Sequence, residues 1–283
     1  MKRTGPIGIL DSGAGGLSVW RELVRELPQE DTIYVADQVH MPYGPRTEDE
    51  LRRFCAGITR FLIAQDCKAI VVACNTASAA ALKYLRETFP LLPSIGMEPA
   101  VKPAAGATKS GVVGILATPA TFQGRLFQAT AGRHASSITL VNQVCDGLAE
   151  QVERGELSAP ATETLLRRYL EPMLAAGADT LVLACTHYPF VIELIRKIAG
   201  PGVQVIDPAP AIARHVRRTL EQKALLSPNT GSPVHRFLTS ATATGFAFLL
   251  HRLTGIRAAV EEVTWRGLEL SAKDQSARPK NAS

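Results

Sequence analysis

Short apolar runs alternate with longer amphipathic stretches along most of the chain. The runs Ile7–Leu10, Thr32–Val35, Ala69–Ala73, Gly111–Leu116, Ile138–Val144, Thr180–Ala184 and Val203–Ile206 place Val, Ile and Leu on consecutive positions. Strands buried on both faces of a parallel sheet read this way. Between the runs, apolar residues recur at helical spacing over Leu17–Leu27, Glu48–Gln65, Ser78–Glu87, Ala120–Gly132, Ala161–Ala176, Phe190–Ala199 and Ile212–Lys223. The alternation predicts an α/β fold with mainly parallel sheets. A strand at Arg236–Leu238 and an apolar helix at Gly245–Leu253 follow. The tail Ser271–Ser283 is polar and lacks periodicity, and reads as disordered.

The chain also resembles itself. Ile70-Val71-Val72-Ala73-Cys74-Asn75-Thr76 is echoed by Leu181-Val182-Leu183-Ala184-Cys185-Thr186-His187, 111 positions on. Gly8-Ile9-Leu10-Asp11-Ser12 is echoed by Gly114-Ile115-Leu116-Ala117-Thr118, 106 positions on. Gly96-Met97-Glu98-Pro99-Ala100 is echoed by Val205-Ile206-Asp207-Pro208-Ala209, 109 positions on. Apolar strands look alike, so one match means little. Three in the same order at nearly constant offset predict a duplication. The expected architecture is two pseudo-symmetric α/β domains with the active site in the interdomain cleft. Residues 1–97 together with 208–270 form the first domain, and 98–207 the second. The chain crosses between them near Glu98-Pro99 and Asp207-Pro208.

Bulk properties narrow the classes. The 283 residues are 46% hydrophobic, enough for a substantial core. The net charge of +5 is spread along the chain; its densest stretch, Arg214–Arg218, reads as a solvated helix face, so no nucleic-acid partner is expected. The apolar stretch at Ile7–Leu10 is cut by Asp11, too short for a secretory segment, and no run approaches the roughly 18 apolar residues of a spanning helix. A cytoplasmic protein with no membrane partner is the expectation. Its five cysteines, Cys55, Cys67, Cys74, Cys145 and Cys185, are then reduced thiols, and no C-x-x-C pair exists.

Two of those thiols acquire a role from the duplication. Cys74 and Cys185 each fall just past a strand, at the sheet edge where open parallel sheets bind ligands. A pseudo-twofold would set them on opposite sides of one cleft. Inverting a stereocentre needs a proton removed from one face and another delivered to the opposite face, which two thiols can do in either direction. Cys55, Cys67 and Cys145 read as small buried hydrophobes. The loop Asp11-Ser12-Gly13-Ala14-Gly15-Gly16 looks like a dinucleotide loop, but Ser18 stands where the third glycine is needed, and no G-K-[ST] exists for a P-loop. A helix start with small residues can still hold a carboxylate. Asn75, Thr76, Thr186 and His187 add polar groups beside the cysteines, and Pro42-Tyr43-Gly44 is a turn placed to close on them. Cys74, Cys185 and His187 lack a fourth zinc ligand, so no metal is expected, and no lysine stands in a recognisable pyridoxal-phosphate site.

These residues carry a resemblance. Asp11-Ser12-Gly13-x-Gly15-Gly16-Leu17-Ser18-Val19, Pro42-Tyr43-Gly44-x-Arg46, Ala73-Cys74-Asn75-Thr76-Ala77-Ser78 and Ala184-Cys185-Thr186-His187-Tyr188-Pro189 are similar to the signature motifs of the aspartate/glutamate racemase family, above all its glutamate racemases. The resemblance covers roughly residues 5–265. It implies cofactor-independent interconversion of L- and D-glutamate, supplying D-glutamate for bacterial peptidoglycan, by an enzyme that in this family can be a homodimer. It implies substrate binding by Asp11, Ser12, Pro42, Tyr43, Gly44, Asn75, Thr76, Thr186 and His187. Cys74 is implied to deprotonate the D-isomer and Cys185 the L-isomer, assisted by Asp11, His187 and Glu153. Two stretches depart from the family: Asp37-Gln38-Val39-His40-Met41 differs from its usual Asp-x-Ala-x-x form, and Gly147-Leu148-Ala149 before Glu150 is divergent. Read from the residues alone, three alternatives stay open: a racemase of aspartate or a hydantoin, a Cys185–His187 thiol hydrolase, and a two-lobed binding protein.

Overall fold

The computed structural model describes residues 2–98, 100–134 and 137–273. Strands β1 (Ile7–Asp11), β2 (Thr32–Ala36), β3 (Ala69–Val72) and β4 (Ser94–Gly96) alternate with helices α1 (Leu17–Glu26), α2 (Glu48–Ala64) and α3 (Asn75–Thr88). After α4 (Val101–Ala107) come β5 (Val112–Ala117), α5 (Pro119–Gln123), α6 (Arg125–His134), β6 (Thr139–Val144), α7 (Leu148–Glu153), α8 (Pro160–Ala175), β7 (Thr180–Ala184), α9 (Ile192–Ala199) and β8 (Gln204–Ile206). The chain ends with α10 (Ala209–Gln222), β9 (His235–Thr239), α11 (Ala243–Thr254), β10 (Val260–Arg266) and β11 (Glu269–Ala272).

Two sheets form. The larger has the order β11-β10-β9-β2-β1-β3-β4 and the smaller β6-β5-β7-β8. The stretch β2-β1-β3-β4 and the whole smaller sheet therefore repeat one strand order. Every pairing is parallel except β10 with β11. β1 corresponds to β5 and β3 to β7, as the internal echoes require. β9 pairs with β2, so the chain after α10 rejoins the first sheet. β1, β2, β3 and β7 are buried at every position, which explains their unbroken apolar runs. One apolar cluster runs through both halves: Ile9, Trp20 and Val71 share it with Leu116, Leu183 and Tyr188. The shared cluster makes the two sheets one packed body at their common wall.

Local chemistry sets the helix ends. α2 begins at a capping box, in which Thr47 Oγ1 accepts from the Glu50 amide and the Glu50 carboxylate accepts from the Thr47 amide. α11 is opened by Thr242, whose hydroxyl accepts from the Gly245 amide, and closed by Gly255 in the left-handed region.

Several sequence expectations need correction. The helix expected at Ser78 begins at Asn75, because the Cys74 sulfur itself caps it. Ala120–Gly132 is two helices: Gly124 is extended, and a Cβ there would meet the Ala79 Cβ at 2.7 Å. Phe190–Ala199 starts instead with a 3-10 turn at Tyr188–Val191. Ser271 and Ala272 belong to β11, which pairs with β10 at the sheet edge, and the Lys273 amide donates to the Glu262 carbonyl; residues 274–283, and Pro99 at the first crossing, lie outside the described residues. Short β4 and the amphipathic β10 carried too little apolar signal to be read as strands. Among the described residues no helix is long and apolar enough to cross a membrane.

Candidate active site

Asp11 ends β1 fully buried, and the chain then turns through Ser12–Gly16 into α1. Its Oδ2 accepts from the Gly16 amide at 2.7 Å, the Gly13 amide at 3.3 Å and the Tyr34 hydroxyl at 3.1 Å. Oδ1 is buried without a protein donor. Burial pushes the Asp11 carboxyl above its ordinary range, against the pull of nearby His187. The glycines of this loop are required by close approaches. A Cβ on Gly15 would sit 2.5 Å from Nδ1 of His187, and one on Gly13 would collide with the Glu153 carboxylate.

Cys74 follows β3 and Cys185 follows β7, equivalent positions in the two sheets. Their partners differ. The Cys74 sulfur lies 3.7 Å from the Ser12 hydroxyl and accepts from the Ala77 amide at 3.5 Å. Burial, followed by the Asp11 carboxylate, pushes the Cys74 thiol up to about 12, and charge on Cys185 adds to the rise. The Cys185 sulfur lies 3.7 Å from Nδ1 of His187, whose Nε2 lies 2.8 Å from Oε1 of Glu153. Burial alone would lower the His187 pKa. Hydrogen bonds to Cys185 and Glu153 overcome it and hold the imidazole well above its ordinary value. Glu153 is likewise opposed by burial, yet its bonds to His187, the Ala14 amide (2.6 Å) and Gln38 (3.2 Å) keep its carboxyl below the usual range. The site thus pairs a thiol beside Asp11 and Ser12 with a sulfur facing an imidazolium braced by a carboxylate.

The motif residues gather around this centre. Asn75 and Thr76 form the first turn of α3. Asn75 Oδ1 is a second buried acceptor without a protein donor. Thr76 Oγ1 meets Thr118 Oγ1 of the other sheet at 2.9 Å. Thr186 is buried and its carbonyl accepts from the Ser18 hydroxyl at 2.8 Å. Pro42, Tyr43 and Gly44 make no hydrogen bond to the cysteines. Tyr43 is buried and donates to Asp37 at 2.7 Å, though near enough to Cys74 for its charge to be felt. Gly44 has open space at its Cα. A cavity of about 630 Å³ beside Thr76 is lined by Arg46, Arg52, Lys83 and Arg86 with Glu48 and Glu87 among others. Tyr34, Ser18, Gln38 and Thr118 have no site role in the sequence reading. Ser18, Gln38 and Thr118 stand there only within longer stretches, and Tyr34 shows only as a hydroxyl inside an otherwise apolar strand. Among the described residues no group of His, Cys, Asp and Glu side chains is arranged to hold a metal ion.

Comparisons with known proteins agree with this fold. Residues 7–216 match the family model described as Asp/Glu/Hydantoin racemase. The chain is 49% identical over 249 residues to a glutamate racemase of Roseiflexus, covering 88% of this chain and 92% of that one. It is 52% identical over 222 residues to one from Ectopseudomonas mendocina, covering 78% and 84%. Among solved structures, glutamate racemase isoform RacE1 from Bacillus anthracis superposes with a TM-score of 0.85 at 33% identity, covering 94% of this chain and 99% of that one. The Escherichia coli glutamate racemase, solved with L-glutamate and the activator UDP-MurNAc-ala, gives 0.81 at 30% identity, covering 93% and 100%. The chain belongs to the Asp/Glu/Hydantoin racemase family, on its glutamate racemase branch, and is an isomerase.

Proposed function

We propose that the protein interconverts L- and D-glutamate without a cofactor, with Cys74 and Cys185 as the two acid–base groups. The observation that carries this is the placement of both sulfurs after equivalent strands of two sheets with one strand order, each with its own polar partners. One cysteine takes the α-proton while the other, as a thiol, delivers one to the opposite face. Cys74, with its thiol held protonated near neutrality, is the donor when L-glutamate is the substrate. His187 stabilises the Cys185 thiolate that takes the α-proton of L-glutamate, and Glu153 holds His187 charged. In the reverse direction the roles exchange, and Asp11 and Ser12 attend the proton at Cys74.

Substrate binding falls to Asp11, Ser12, Pro42, Tyr43, Gly44, Asn75, Thr76, Thr186 and His187. The free acceptors Asp11 Oδ1 and Asn75 Oδ1 suit the three donors of an α-ammonium group. Residues 1–97 and 208–270 are assigned to one domain and 98–207 to the other, a division supported by the strand orders of the two sheets. The product serves peptidoglycan synthesis in the cytoplasm; expression in a bacterium that depends on added D-glutamate tests this, and failure to restore growth would count against it. Circular dichroism with L-glutamate and L-aspartate tests the substrate. Decay of the glutamate signal alone is expected, and an unchanged glutamate signal rejects the reading.

A second reading has its own support. Cys185, His187 and Glu153 are ordered like the nucleophile, base and acid of a thiol hydrolase. That chemistry has no use for Cys74, so turnover surviving in Cys74→Ser would select it.

A further inference from the structure

We infer that Gln38 is a positioning residue for the Glu153–His187 pair, reaching to it from the end of a strand of the first sheet. The inference rests on the two-cysteine reading. Gln38 opens a single 3-10 turn, Gln38–His40, at the end of β2. That turn is fixed to the first sheet. Asp37, fully buried beneath it, accepts from Tyr43 at 2.7 Å, from Trp265 Nε1 at 2.7 Å and from Ser240 Oγ at 3.1 Å. The Val39 amide donates to Ser240 Oγ at 3.0 Å.

The Gln38 amide is oriented by its neighbours. Thr239 Oγ1 donates to Gln38 Oε1 at 2.9 Å, so Nε2 faces the other way and donates to Glu153 Oε2 at 3.2 Å. Exchanging the two amide atoms would set an oxygen against a carboxylate. Glu153 ends α7, among the elements of the second sheet. Its Oε1 takes the Ala14 amide and His187, and its Oε2 takes Gln38. Held at both oxygens, the carboxylate cannot swivel away from the imidazole. A relay runs from Thr239 through Gln38 and Glu153 to His187 and Cys185.

The chemistry of the side chain matters. A neutral amide fixes the carboxylate yet leaves its charge to His187. A cation in its place would compete with the imidazolium, and an anion would repel Glu153. Gln38 fills the first open position of the Asp-x-Ala-x-x form, so that form assigns it no role.

Racemisation by wild type, Gln38→Leu, Gln38→Glu and Gln38→Asn, followed as pH profiles of kcat and KM with melting temperatures alongside, tests the assignment. Gln38→Leu should lower kcat about tenfold with little change in KM. Its acid limb should rise, because Glu153 loses a donor to its charged form, and its alkaline limb should fall, because His187 loses a well-held partner. Gln38→Glu adds a second carboxylate, so its acid limb should rise while its alkaline limb moves up instead. Gln38→Asn, one methylene short of spanning Thr239 and Glu153, should behave as Gln38→Leu. Opposite movement of the alkaline limb in the Leu and Glu variants is a signature that a merely structural role does not produce. An active wild type with an unchanged Gln38→Leu profile, or alkaline limbs that move together, overturns the assignment alone. A wild-type protein inert towards glutamate overturns the reading beneath it and the assignment with it.

Discussion

Nε2 of His187 lies 2.8 Å from Oε1 of Glu153, the carboxylate that joins the two halves of the site. Glu153 also accepts from the Ala14 amide in the loop after β1. One carboxylate therefore ties the base of the second cysteine to the loop that serves the first. Removing its charge without its shape, as in Glu153→Gln, should lower kcat by about 100-fold. The alkaline limb of the profile should also move to lower pH, since Glu153 is one of the groups that hold His187 charged. Steady-state kinetics between pH 6 and about 10 check both effects, and an unmoved limb would separate Glu153 from His187.

The same pair shapes stability. The folded pKa of His187 is raised, so its contribution is full below its unfolded value and is lost as pH rises through the folded one. The folded pKa of Glu153 is lowered, so its contribution is present above its unfolded value and is lost as pH falls through the folded one. Both act together only between those limits. The melting-temperature gap between wild type and Glu153→Gln should be widest between about pH 5 and 7 and should shrink on either side. A gap independent of pH would contradict the pairing.

Cys74 offers a separate test. After burial, the Asp11 carboxylate is the largest influence holding its thiol up near 12. Asp11→Asn should make Cys74 more acidic, so alkylation by iodoacetamide should begin at lower pH than in wild type. Racemisation should fall all the same, because the group attending that proton is gone. Mass spectrometry of the Cys74 peptide across pH reads the first effect directly.

Gly15 is required by the imidazole packed against it. A methyl group there would sit 2.5 Å from Nδ1 of His187. Gly15→Ala should therefore displace the ring and cost activity by about 10-fold or more, while the melting temperature falls by only a few degrees. Equal activity in Gly15→Ala would mean the ring is free to move without consequence.

Much of this was legible before any coordinates. The consecutive Val, Ile and Leu of β1, β3 and β7 announced buried parallel strands, and the echo around Cys74 and Cys185 announced two copies of one motif. The three-residue β4 and the alternating Val260–Arg266 were not legible, because a short or half-exposed strand carries little apolar signal. Nor was the start of α3, where a cysteine sulfur replaces the usual Ser, Thr, Asp or Asn cap. Within the site, Asp11 and His187 were marked by motif and Glu153 by the resemblance. Tyr34, Ser18 and Gln38 were given no role, since their value lies in contacts made by residues far apart in the chain. Tyr43 shows the converse: a motif residue whose hydroxyl serves Asp37.

The central claim is that two thiols serve opposite faces of one α-carbon. Racemisation in D2O by wild type, Cys74→Ser and Cys185→Ser, with α-deuterium followed by NMR and configuration by circular dichroism, tests it most directly. Wild type should incorporate solvent deuterium as it inverts either isomer. Each single variant should lose inversion, and at most exchange the α-proton of one isomer with retained configuration. Inversion at the wild-type rate in either variant would contradict the claim.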